Sequence, residues 1–177
     1  QGLATALLNQ TASFSITQDA AAKLALVQRA AELLRPLAAE ANSSARTQKE
    51  FARALAYLGF HQSEAEAALG FFEESRRGLA KAGASDLSDL FSAAAYAFTT
   101  RSASLRLAEL KRDDEAERYR QEALDVAGRV LALHPGVLLA INTRGSVESD
   151  LANVEARRFQ FAAALEFAQK AEKFREK

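Results

Sequence analysis

The 177-residue sequence contains no cysteine, no methionine and no tryptophan, and its 23 basic side chains are matched by 23 acidic ones. Without cysteine there is no disulfide staple, no thiolate nucleophile and no zinc site built on sulfur. The charge balance argues against a protein that grips nucleic acid by neutralising phosphates, and against a polybasic membrane anchor. The balance holds in each half, with 9 basic and 9 acidic groups in residues 1–88 and 14 of each in residues 89–177. No long-range field therefore steers a partner, and recognition must rest on local chemistry. No apolar run approaches the roughly 18 residues of a membrane span. The first 30 residues lack the basic start of a secretory signal. An opening Gln1 reads as a piece of a longer protein or a processed form. The absence of Met reads as biased composition or as a modified residue dropped from the sequence.

What is present is helix-forming material. Alanine occurs 40 times and leucine 24 times, whereas valine and isoleucine together number 8. Ala and Leu lose little freedom in a helix, while β-branched residues lose χ1 freedom there and favour strands. With 2 Pro and 8 Gly there are few breakers, so the expected class is all-α with long helices. Capping-box patterns at Thr47 to Glu50 and Ser63 to Glu66, with an acidic version at Asp114 to Glu117, mark helix starts. Breaks fall at Asn42-Ser43-Ser44, Ala82-Gly83-Ala84-Ser85 and His134-Pro135-Gly136. Apolar stripes such as Leu24, Val27, Ala31, Leu34 recur at three and four residues. These signals predict eight helices, near 2–13, 17–41, 46–60, 64–82, 86–111, 114–133, 137–157 and 160–175. Short links between them force antiparallel hairpins.

The expected turns inside the hairpins recur about every 48 residues, and at that period Ala20, Ala68, Ala116 and Ala164 fall in register. So do Leu7, Leu55, Ala103 and Leu151. A small residue early in the second helix of a hairpin, followed by packing residues four and seven later, resembles the core of tetratricopeptide repeats. Ala116, Ala123 and Ala127 through Val130 to Pro135 carry that resemblance, as do Ala68 with Phe72 and Ser75, and Phe161 with Ala164, Ala168 and Ala171. The hairpins exceed the standard unit of about 34 residues by roughly two turns per helix. The usual large aromatic and Leu-Gly pair are replaced by Leu55-Ala56, Ala103-Ser104 and Leu151-Ala152. The chain thus resembles a long-helix tetratricopeptide variant. The expectation is one domain, 1–177, of four helix pairs (1–44, 45–84, 85–135, 136–177) stacked as a right-handed superhelix. A HEAT-like hairpin array is the alternative.

Residues with chemical potential have plainer readings. His61 and His134 stand 73 residues apart with no metal-ligand spacing, and His134 before Pro135 reads as a helix C-cap. Asp113-Asp114-Glu115 reads as a helix start favoured by the dipole. Glu73-Glu74 with Arg76-Arg77 reads as a solvated helix face. Phe71, Phe72 and Phe91, with Phe159, Phe161 and Phe167, read as hairpin core. No nucleophile elbow, Walker loop or dinucleotide glycine pattern is present. The expectation is a chain that is not an enzyme and carries no cofactor and no metal.

The resemblance implies that the first helices of successive hairpins line a concave groove that holds a partner. Its register nominates Thr5 and Asn9, then Arg53, Tyr57 and Phe60, then Phe98, Arg101 and Leu105, then Ser149 and Asn153. The strongest candidates are Asn9, Arg53, Tyr57, Phe60, Phe98, Arg101 and Asn153. Of the positions that clamp a peptide carboxylate in some family members (Thr5, Asn9, Ala54, Arg101 and Leu105), only Asn9 and Arg101 fit. The implied role is a non-catalytic module binding a peptide or protein surface, with no nucleic acid and no membrane. Its parent would be a larger cytoplasmic signalling or regulatory protein. The Ala and Arg bias points to a bacterial one. A structural scaffold, or an accessory domain of an enzyme, is the rival. The apolar last helix leaves self-association through the terminal helices open.

Overall fold

A computed structural model of the chain describes residues 2–3, 6–7, 20–157 and 161–175. Among them the elements are seven α-helices and no strand: α1 Ala20–Ala39, α2 Ala45–Phe60, α3 Ala65–Leu79, α4 Leu90–Glu109, α5 Asp113–Leu133, α6 Leu138–Arg157 and α7 Phe161–Arg175. The helix expected near 2–13 falls mostly outside the described residues. Each helix packs on the next, and α4 also reaches α6. The links are a few residues long, so the chain is all-α and built of successive helical hairpins.

Local chemistry explains where the helices begin and end. At α2 the cap is Ser44, not the expected Thr47: the Ser44 Oγ accepts from the Thr47 N–H at 3.1 Å. Thr47 is itself buried in the first turn. At α3 the expected Ser63 cap is not used; Glu64 occupies that position without a side-chain cap bond. Past α3 the backbone widens into one π-turn, Ala80–Ala84, where Gly83 takes φ +96°. A Cβ there would sit 2.4 Å from Ser88 Oγ, so the glycine is required. Helix α4 then starts at Leu90, four residues later than expected, because Asp89 caps it by accepting from the N–H groups of Phe91 and Ser92 at 3.0 and 3.1 Å. Its other end closes in a Schellman turn, with Lys111 left-handed at φ 62° and the Arg112 N–H donating to Leu107 O at 2.9 Å. His134 ends α5 as expected, donating its N–H to Val130 O.

The small residues are where the helices meet. Ala68, Ala103, Ala116, Ala123 and Ala127 are wholly buried, as is Leu55, and Leu151 is nearly so. Leu7 packs on the first core cluster, so the Leu55, Ala103 and Leu151 register faces inward throughout. The side chains of Ala20 and Ala164 lie outside the described residues. Alanine lets α2 and α3 approach until Ser75 Oγ donates to Ala52 O at 2.8 Å. At Gly59 an added Cβ would lie 2.8 Å from the Phe72 ring, which is buried.

One polar node ties three helices together, and it corrects the reading of Arg76 as a surface charge. The Arg76 side chain from α3 is 10% exposed. Its Nε donates to Thr100 Oγ1 of α4 at 2.9 Å, and its other nitrogens donate to Tyr96 of α4, Glu122 of α5 and Glu73. Tyr96 and Tyr119 donate in turn to Glu122 and Glu73, each at 2.6 Å. The guanidinium also lies over the Tyr119 ring, 4.1 Å from its centroid. Burial opposes the charge, but Tyr96 and the two carboxylates outweigh it and hold the guanidinium more firmly protonated than usual. Burial and the bond to Glu122 push the Tyr96 phenol up to about 12.

Candidate functional site

Helices α2, α4 and α6 are the first helices of successive hairpins, and between them lies an open groove of about 540 Å³. Its floor is made of small or inward residues, Ala52, Ala56, Ser75, Leu79, Ala95 and Thr99. Its walls are aromatic and aliphatic: Tyr57, Phe60, Phe91, Phe98 and Leu139. Helical spacing explains the arrangement. Arg53, Tyr57 and Phe60 follow one another at four and three residues on α2, and Phe91, Ala95 and Phe98 do so on α4. A floor of alanines between two such stripes leaves depth that larger side chains would fill.

The walls are anchored as well as exposed. Phe60 is 44% exposed yet packs on buried Phe72, edge to face at 5.0 Å, and meets Phe98 at 5.5 Å. It therefore presents a ring that the core holds in place. Tyr57 stacks on His61 at 4.5 Å and carries Lys23 over its ring at 5.3 Å. Phe91, assigned to the core by its sequence context, is 75% exposed and lines the groove. Leu139 is an exposed lining residue as well.

The charged rim is local. Lys49 pairs with Asp89, and Arg53 approaches Glu50 at 3.6 Å. Burial of Asp89 opposes its ionisation. The Lys49 ammonium and the N–H groups of Ser92 and Phe91 outweigh that and hold the carboxyl below its usual range.

Of the seven residues nominated by sequence, the groove brings together Arg53, Tyr57, Phe60 and Phe98. Arg101 is not among its lining residues. Its guanidinium grips Asp150 at 2.8 and 3.3 Å, clasping α4 to α6. Asn153 is exposed on a separate cleft of about 380 Å³ between α6 and α7, which Leu165 also lines. Asn9 and Thr5 lie outside the described residues. Sequence reasoning missed Lys49, Phe91 and Leu139. Phe91 was findable, since it precedes Phe98 by seven residues and so shares its stripe.

The groove offers shape and apolar area rather than reacting groups. Its titratable lining is Lys49, Arg53 and Tyr57, which make no acid–base pair. Among the described residues no group of three or more His, Asp or Glu side chains is placed to hold a metal ion. Among them, too, no helix is long and apolar enough to cross a membrane.

No family model matches the chain, and no curated protein matches it. Among solved structures the chain is similar to the crystal structure of MamA, at 16% identity and a TM-score of 0.45. The match covers 98% of this chain and 78% of that one. A likeness at that level carries no argument about partner or activity, and the groove is read on its own geometry.

Proposed function

We propose that the chain is a non-catalytic, tetratricopeptide-like interaction module, and that the groove between α2, α4 and α6 receives a segment of a partner protein. The observation that carries this reading is an aromatic wall, exposed Phe60 and Phe91 with half-buried Tyr57 and Phe98, over an alanine floor in a volume of about 540 Å³. Exposed aromatic clusters of this kind cost solubility unless something covers them. Volumes of a few hundred Å³ accept several apolar side chains at once. A peptide array probed with the wild-type chain, with Phe98→Ala and with Phe91→Ala tests it. Spots bound by the wild type should weaken with both variants. Spots unchanged by either variant place binding elsewhere.

A second reading, self-association, is favoured by α7, where Leu165 is 61% exposed above the cleft that contains Asn153. Sedimentation velocity over a wide concentration range separates the two. A shift to a dimer that Leu165→Lys abolishes supports the second reading, and a monomer throughout removes it.

A further inference from the structure

We propose that a second cavity, where the last turns of α1 and α3 meet the first turns of α2, is a binding site for a phosphoryl group. It shares no lining residue with the groove and is independent of what the groove binds. Its volume is about 240 Å³. Its charged lining consists of three cations, Arg35, Arg77 and Lys81, and one carboxylate, Glu74; no other Asp or Glu lines it.

Spacing along α3 would neutralise Arg77, which follows Glu73 by four residues and Glu74 by three. The fold diverts both acids. Glu73 accepts from Arg76 and from the Tyr119 hydroxyl. Glu74 accepts two parallel bonds from Arg35 of α1, at 2.6 and 3.1 Å. Arg77 and Lys81 are left exposed, with no side-chain hydrogen bond or ion pair among the described residues. They stand four residues apart, so two like charges without a counter-ion neighbour each other along one face.

The third cation is fixed in place. The Arg35 guanidinium lies over the ring of buried Phe51, 5.2 Å from its centroid, and Glu74 sets its orientation. Two of its five N–H groups are used on Glu74, and the rest stay available as donors in a rigid plane. The Ala38 carbonyl at the cavity wall is already taken by Gln48 Nε2 at 2.7 Å, so it does not occupy the cations. With Glu74 offset by Arg35, the lining carries two uncompensated positive charges. A phosphate monoester brings a charge of about −1.5 to −2 at neutral pH and several acceptor oxygens, which matches that excess. One carboxylate would leave a cation unanswered. Ala38, Ala39 and Phe51 supply apolar wall for the carbon that carries the ester.

The test titrates the 15N-labelled full chain with inorganic phosphate, glycerol 3-phosphate and a phosphoserine hexapeptide, at constant ionic strength balanced with chloride. Saturable shifts are expected at the amides of Ala39, Gly78 and Lys81, and none with chloride alone or with the unphosphorylated hexapeptide. Arg77→Gln and Lys81→Gln, both at exposed positions, should each weaken binding by about three- to fivefold, and together by about tenfold. The thermal midpoint without phosphate should not fall in either variant. Tighter binding of the phosphopeptide than of glycerol 3-phosphate supports the site and assigns the group to a modified protein; the reverse order supports it and assigns the group to a free metabolite. Shifts that fail to saturate, or that persist undiminished in the double variant, overturn the proposal, whatever the groove is found to bind.

Discussion

Replacing Arg76 by Met keeps most of the side-chain volume and deletes the charge that α3, α4 and α5 share. Removing one partner from a buried ion pair costs about 3–5 kcal/mol, because the other charge is left without compensation. Here the stranded carboxylates are not deeply buried: the Glu73 and Glu122 side chains are 29% and 36% exposed. Water recovers part of the loss, which lowers it to about 2 kcal/mol. The bond from Arg76 Nε to Thr100 Oγ1 lies at a wholly buried threonine and adds about 1 kcal/mol. The expected destabilisation is therefore about 3 kcal/mol. For a chain of this size that lowers the thermal midpoint by about 6–12 °C. Urea unfolding followed by circular dichroism gives the free energy directly. A double-mutant cycle with Glu122→Gln should show a coupling of about 1–2 kcal/mol. If Arg76→Met stays within about 0.5 kcal/mol of the wild type and the cycle shows no coupling, the node does not hold these helices together.

Four other substitutions have expected outcomes from the same geometry. Gly59→Ala should destabilise by about 1–2 kcal/mol despite alanine's better helix propensity, because its Cβ meets the buried Phe72 ring; Gly70→Ala, with open space around it, should stabilise by up to about 1 kcal/mol in the same unfolding assay. Asp89→Ala removes the α4 cap and should cost about 1 kcal/mol near neutral pH. The folded Asp89 carboxyl is held low, so its contribution is present above its ordinary pKa and is lost as pH falls through the folded value. Glu148 has the opposite sign. Burial at 2% exposure pushes its carboxyl up against the pull of Lys170 and Arg144, with Glu166 adding to the rise. Its contribution is present below the ordinary glutamate pKa and lost as pH rises through the elevated one, so Glu148→Gln should stabilise the chain above that elevated pKa and flatten the fall of stability as pH rises past the ordinary glutamate range.

The helices and their inward faces were legible in the sequence because they depend on neighbours along the chain. Leu55, Ala103 and Leu151 all point into the core, and the turns fall where the breakers stand. Arg53, Tyr57, Phe60 and Phe98 share one groove because helical spacing puts each on the outward stripe of its own helix. What escaped the reading depends on residues far apart in sequence. Glu73 at i−3 made Arg76 resemble a surface pair, while Thr100, Tyr96 and Glu122, which bury it, come from two other helices. Arg101 resembled a ligand-binding arginine until Asp150, 49 residues away, claimed it. Phe91 resembled core because it is aromatic and sits in an alanine-rich stretch. Its place at the first turn of α4, just past the Asp89 cap, leaves it at the end of the hairpin rather than within it.

Binding across the first helices of the hairpins would leave its mark on the amides of those helices. Amide chemical-shift mapping of the 15N-labelled chain, titrated with an array-selected peptide, tests it most directly. Perturbations are expected at Arg53, Tyr57, Phe60, Phe91 and Phe98 and along the facing stripes of α2 and α4. Perturbations centred on α7 around Leu165, with Phe60 and Phe98 unmoved, would contradict binding there.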